Sequence, residues 1–440
     1  MQTGGGLVRI EKDMERYFDR LFPICRSITG EGYQESLDII REIIPLEKID
    51  FPSGTECYDW TVPDEWNIQN AYILTPDGEE IARFKDSNLH VVGYSVPIDK
   101  EMSLDELKKH LHFIEELPKA IPYVTSYYKR DWGFCLSYDD YRKLKEGTYR
   151  VFIDSELKPG KLTIGMLTIP GKTDREILLS TYLCHPSMAV NELSGPLVTA
   201  FLYKRLILEK QFEHTIRFLF CPETIGAMAF LSKFGTHLME KLVAGYVVHC
   251  LGHGNVYTYK KSRLGTSLAD RAALNVLANQ DILFKHVEFN TLGSDERQYC
   301  SPGFNLPVGS IMRTMWGEYD EYHTSLDNKN IISFKAMKES VSTYFDVIRT
   351  IDKNNTYMSA VQYGTPQLSK SPVSIYPNTM NVSKFKMLNN QNQMLLEIIN
   401  LSDGNNDLLA IAEKRGFKML DLIEIAKKLI VAGYLKRMNQ

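Results

Sequence analysis

The chain has 440 residues, 44% of them hydrophobic and 24% charged, which is enough for two or three compact domains, each with its own core. A formal net charge of −4 and a pI near 6.2 exclude a global basic field of the kind that holds nucleic acid or an anionic membrane. No apolar run reaches the roughly eighteen residues of a membrane span, and the N-terminus leads into an amphipathic pattern, not a signal-peptide core, so a cytoplasmic protein without membrane contact is expected.

In chain order, Met14, Tyr17, Phe18, Leu21 and Phe22, then Leu37, Ile40, Ile43 and Ile44, fall at helical spacing. From 51 to 149 the texture turns to short strands, aromatics and turns. Tyr72-Ile73-Leu74 and Ile81-Ala82-Arg83-Phe84 flank Pro76-Asp77-Gly78, which predicts a hairpin inside an inserted, mainly β domain. Its Tyr123, Tyr127, Tyr128 and Trp132 are expected to fill a small core, with a substrate wall as the alternative.

From 150 to 355 the pattern repeats strand, loop, helix. The runs Leu162 to Ile169, Ile177 to Cys184, Ile216 to Cys221 and Tyr246 to Leu251 lack alternation, as strands buried on both faces do. Together with residues 1–50 they predict an α/β/α sandwich around a parallel or mixed sheet, with ligands at the carboxyl ends of the strands. The seven scattered cysteines contain no CxxC pair and read as free thiols, not zinc thiolates. Residues 356–383, with Pro, Ser and Asn, read as a linker. The segment 384–440 then predicts a winged helix, with helices at Lys386 to Leu401, Asp407 to Arg415 and Met419 to Val431 and a wing strand from Tyr434. Its nine Lys and Arg stand against six Asp and Glu, a weak basic surplus that suits protein contact, or assembly with another copy, better than DNA.

The chemistry-bearing residues follow the strands. His185 closes one apolar run, and Asn191-Glu192-Leu193-Ser194-Gly195 opens the next helix. Glu223, in Pro222-Glu223-Thr224-Ile225-Gly226, is placed to act as general base toward metal-activated water. Gly293-Ser294-Asp295-Glu296-Arg297 and Glu321-Tyr322-His323-Thr324-Ser325-Leu326-Asp327 complete the set.

In this order the motifs resemble the zinc aminopeptidase and glutaminyl cyclase clan. More closely, they resemble bacterial aminopeptidase-like proteins with a β insert and a C-terminal winged helix, often linked to polysaccharide biosynthesis. The resemblance implies a zinc-aminopeptidase-like fold over nearly the whole chain. It also implies His185 as first zinc ligand, Glu223 as general base and His323 as late ligand. The bridging aspartate of two-zinc members falls on Asn191, a second glutamate on Thr224, and a strand-end aspartate ligand on His249. One zinc is therefore expected, held by His185, His323, His249 and Asn191, with Asp295 or Tyr322 assisting the leaving group. The function implied is hydrolysis of an amide or peptide bond in a peptide-like or amide substrate. The alternatives are a degenerate peptidase fold that binds a ligand and acts through the winged helix, and aminoacyl cyclisation.

Overall fold

The structure, a computed structural model, describes residues 4–370 and 390–438. The expected tail segment 384–389 lies outside them. Helices α1 (Gly4–Leu21) and α2 (Glu31–Arg41) precede β1 (Glu47–Pro52), and the insert follows with β2 (Glu65–Leu74), β3 (Ile98–Ser103) and β4 (Thr148–Lys158). The main domain resumes with β5 (Lys161–Ile169), β6 (Glu176–Tyr182), α3 (Ser194–Leu206), β7 (Thr215–Cys221), α4 (Ile225–Lys241) and β8 (Leu242–Val247). It ends with β9 (Val256–Lys260), α5 (Leu268–Ala278), β10 (Leu283–Val287), β11 (Val308–Met312) and α6 (Phe334–Asp352).

Among the described residues the central sheet has eight strands in the order β1-β5-β7-β6-β8-β11-β9-β10. The middle of it, β7, β6, β8 and β11, is parallel, whereas β1, β5 and β9 meet their inner neighbours antiparallel. All seven residues of β6 and all six of β8 are buried, which is why these runs show no alternation. One apolar layer joins α1, α2, α3, α5 and α6 to one face of the sheet. The opposite face packs against α4 and against Trp66 and Tyr94 of the insert. The sandwich is thus three-layered.

The insert has its own sheet, in which β2 pairs with β4, β4 with β3, and Glu80–Ile81 closes a hairpin on β2. Gly78, at φ 82°, takes the left-handed turn position that a side chain would resist. The insert sheet extends through β4 to Lys158 before the chain returns to the main sheet at Lys161.

The segment expected to begin a linker starts instead with β12 (Thr356–Ser359). This strand lies between β13 (Asp403–Asp407) and β14 (Leu435–Arg437). The wing strand therefore pairs with chain just beyond α6, an arrangement that local sequence could not disclose. Around it stand α7 (Asn390–Leu401), α8 (Leu408–Arg415) and α9 (Met419–Val431), with Gly416 at φ 69° turning α8 into α9. On the exposed side of α9, Asp421 and Glu424 offset Lys427 and Lys428, so the helix lacks the basic stripe of a DNA reader. Met419 and Leu422 share one apolar core with Val347 and Ile351 of α6. Arg271 bridges Asp407 and Glu413 at 2.9 and 2.8 Å, and Asn275 accepts from the Met419 N–H at 3.0 Å while donating to the Phe417 carbonyl at 2.9 Å. No helix among the described residues is long and apolar enough to cross a membrane.

Candidate active site

Strands β6 and β7 run parallel, with Tyr182 opposite Cys221, so the residues that follow them leave the same sheet end side by side. His185 and Glu223 meet there, the His185 Nε2 lying 3.5 Å from Glu223 Oε2. Behind the ring, His185 Nδ1 is 2.8 Å from Glu192 Oε2, and the other oxygen of Glu192 accepts from the Cys184 N–H. This buried carboxylate fixes the imidazole with its Nε2 toward Glu223. Ser294 Oγ donates to Glu223 Oε1 at 2.6 Å.

Asn191 and Glu192 sit on a single buried π-helical turn, Ala189–Leu193. Asp327 holds it by accepting from the N–H groups of Ala189, Val190 and Asn191, the two shorter bonds being 2.7 and 2.9 Å. Ser187, Thr224, Cys250 and His323 all have positive φ, between 48° and 64°, a conformation that costs non-glycine residues energy. Of these, the strain at Thr224 is held by a neighbour. Thr224 is fixed by its N–H donating to Asp295 Oδ1 at 2.7 Å.

His323 comes from the loop before α6, and its ring lies 5.3 Å from that of His185. The insert is stitched to this loop: the Tyr123 N–H donates to the His323 carbonyl at 2.8 Å, and the Ser325 N–H to that of Ile121 at 2.9 Å. Tyr123, Tyr127 and Tyr128, with Trp60, consequently line a cavity of about 370 Å³ together with His185, Glu223, Thr224, Arg297 and His323, the Tyr123 ring lying 5.0 Å from His185 and 5.4 Å from His323. Three of the four aromatics thus take the alternative, cavity-wall place, while Trp132 stacks on His110 at 3.9 Å.

Burial opposes charge on His185, yet Glu192 and Glu223 together raise its pKa above the ordinary value. Burial raises Glu223, with His185 and the Ser294 hydrogen bond pulling the other way. Burial, and then repulsion from His185, lower His323 to about 3, so its imidazole is neutral.

Four expected site residues do not reach the cavity. Asn191 Oδ1 accepts from the Tyr182 hydroxyl at 3.3 Å. His249 has Nε2 3.1 Å from Ser310 Oγ and Nδ1 3.3 Å from Cys250 Sγ, so both nitrogens face protein partners. The buried ring of Tyr182 lies 5.6 Å from His185 and 5.5 Å from His249. Asp295 faces Thr224 from below, and Tyr322 stacks on His323 at 4.0 Å as a backing ring. Sequence reasoning passed over Tyr182, Ser294, Arg297 and the bracing role of Glu192. Ser294 and Arg297 stood inside a motif already singled out, so the signal was present.

The turned-away His249 has a testable consequence. Burial lowers it from 6.5 to about 4, so between these pH values the unfolded chain binds the proton and the folded chain does not. Stability is therefore expected to fall as pH drops through that window, and His249→Leu should flatten the slope. Urea midpoints measured against pH check this, and an unchanged slope would contradict the neutral buried imidazole.

The cavity carries donor types that zinc takes. His185 and His323 offer two imidazoles to the cavity beside the Glu223 carboxylate, and Glu192 stands behind His185 as carboxylates stand behind zinc-binding histidines. Asn191 and His249 turn their side chains to protein partners instead. Among the described residues Cys184, His185 and Glu192 form the group of three such donors whose ligand atoms all lie within 4.8 Å of one another, a group that leaves out Glu223 and His323. There, however, Glu192 is already shared between Cys184 N and His185 Nδ1, and burial holds the thiol protonated. Among the described residues all seven cysteines are free, and all but Cys25 are buried.

Residues 15–354 match the family model described as a domain of unknown function (DUF4910), and 355–437 match a winged helix-turn-helix model. The chain belongs to the DUF4910 family. A relative from Clostridium acetobutylicum, 42% identical across 95% of this chain and 93% of its own, is named as a candidate polysaccharide biosynthesis protein with an aminopeptidase-like domain. The crystal structure of a candidate peptidase from the same organism superimposes with a TM-score of 0.91 at 40% identity, covering 99% of this chain and 98% of that one. A zinc aminopeptidase from Bacillus subtilis shares the fold alone, with a TM-score of 0.58 at 9% identity over 78% of this chain and 94% of its own. The DUF4910 chain thus has an aminopeptidase-like α/β fold and a C-terminal winged helix.

Proposed function

We propose that the protein is a metal-dependent hydrolase of amide or peptide bonds that works with one zinc ion. The observation that carries this reading is His185, braced by Glu192 at Nδ1 and facing Glu223 at Nε2, on one cavity wall with His323. His185 and His323 would hold the zinc, which when bound supplies a Lewis acid for the scissile carbonyl. Glu223 is oriented by Ser294 at Oε1, leaving Oε2 to take a proton from water and pass it to the leaving nitrogen. Its burial-raised pKa brings it nearer the operating pH than an exposed carboxylate. The insert's tyrosines exclude bulk water.

Elemental analysis of protein supplied with low excess zinc tests the reading. About one ion per chain is expected, lost in His185→Ala and in His323→Ala. Absence of bound zinc, or two ions per chain, would overturn it.

A further inference from the structure

Arg297 is the one permanent cation among the described residues lining the active-site cavity; its charge favours the ionised forms of nearby Glu223 and Asp295, but it forms no direct ion pair with either. Its Nη2 donates to Thr224 Oγ1 at 3.3 Å, and its Nε is buried with no partner. A buried N–H left without an acceptor is costly, so an arginine in this state, on the wall of a cavity, calls for an acceptor from outside the chain. The segment that carries it is rigid: the buried Lys260–Glu296 pair, at 2.8 Å, anchors the residue before it.

The same wall is poor in groups for a free amine. Glu223 is the one carboxylate among the described lining residues, and its Oε1 is already held by Ser294. Thr224 presents a hydroxyl that accepts from Arg297. An α-ammonium group would therefore compete with the general base for its only partner.

We propose that Arg297 is a specificity-determining residue that binds a carboxylate of the substrate, so that the site takes N-acyl amino acids or similar carboxylate-bearing amides in preference to substrates with a free α-amine. This rests on the hydrolase reading for its chemistry, but the recognition itself is separable. Guanidinium and carboxylate pair through planar, charge-assisted hydrogen bonds, and the tyrosine and tryptophan wall suits the apolar part of such a ligand.

The test is calorimetric binding to the full-length, zinc-supplied chain, with N-acetyl-L-phenylalanine, its carboxamide, L-phenylalaninamide and inorganic phosphate as probes. The acid is expected to bind about ten- to a hundredfold more tightly than the carboxamide, the range for a hydrogen bond to a charged group. Arg297→Gln should erase that difference, and Arg297→Lys should restore part of it. Equal affinity for acid and carboxamide in the wild-type chain overturns the proposal even if Arg297→Gln fails to fold. So do preference for the free amine, tighter binding of phosphate than of the acid, or no binding of any probe. Carboxylate-dependent binding without hydrolysis of the acid supports Arg297 as the recognition group and removes the hydrolase reading instead.

Discussion

Glu223→Gln is expected to lower kcat by about a hundred- to ten-thousandfold, the usual contribution of a positioned general base, with fold and zinc content retained. The substitution is close to isosteric, and the amide oxygen can still accept from Ser294 Oγ, so only the proton acceptor is lost. Because burial raises Glu223, the acid limb of the pH–rate profile should lie above the range of an exposed carboxylate, with activity appearing as Glu223 loses its proton. Steady-state turnover on N-acyl amino acids, beside elemental analysis of the same samples, gives the answer. Unchanged turnover with full zinc would take Glu223 out of the mechanism.

The second large effect lies beneath the site. Lys260 and Glu296 are each 1% exposed, and Glu296 also accepts from the Ser294 N–H while its other oxygen has no partner. Lys260→Met is expected to cost about 3–5 kcal/mol, because it leaves Glu296 buried and uncompensated. Lys260→Met combined with Glu296→Leu should recover most of that loss, since the desolvated charge goes too. Urea denaturation of the three chains checks both statements. A single variant as stable as the parent would mean that the pair is not buried as described.

The contrast between these residues shows what a sequence can carry. His185 and Glu223 stood out because each follows an apolar run that reads as a buried strand, and the ends of parallel strands converge; His323 stood out by its motif ahead of the helix Phe334–Asp352. Asn191 and His249 occupy ligand positions in chain order, yet the direction of a side chain is set by partners distant in sequence. Tyr182 takes the Asn191 oxygen, and Ser310 takes a His249 nitrogen. Tyr123, Tyr127 and Tyr128 look like core in the insert's own composition and become cavity wall only through the backbone bonds to the His323 loop. The strand Thr356–Ser359 was hidden for a similar reason, as its four residues gain their identity from the partners on either side.

That strand changes how the chain must come apart. It follows α6 after three residues and lies at the centre of the winged-helix sheet, while the far face of α6 is covered by α9 through Val347, Ile351, Met419 and Leu422. A cut at residue 355 would not release a tail; it would split one continuous core into two raw apolar faces. The α/β sandwich and the winged helix are expected to melt in a single cooperative step, sharing their stability as they share their helix.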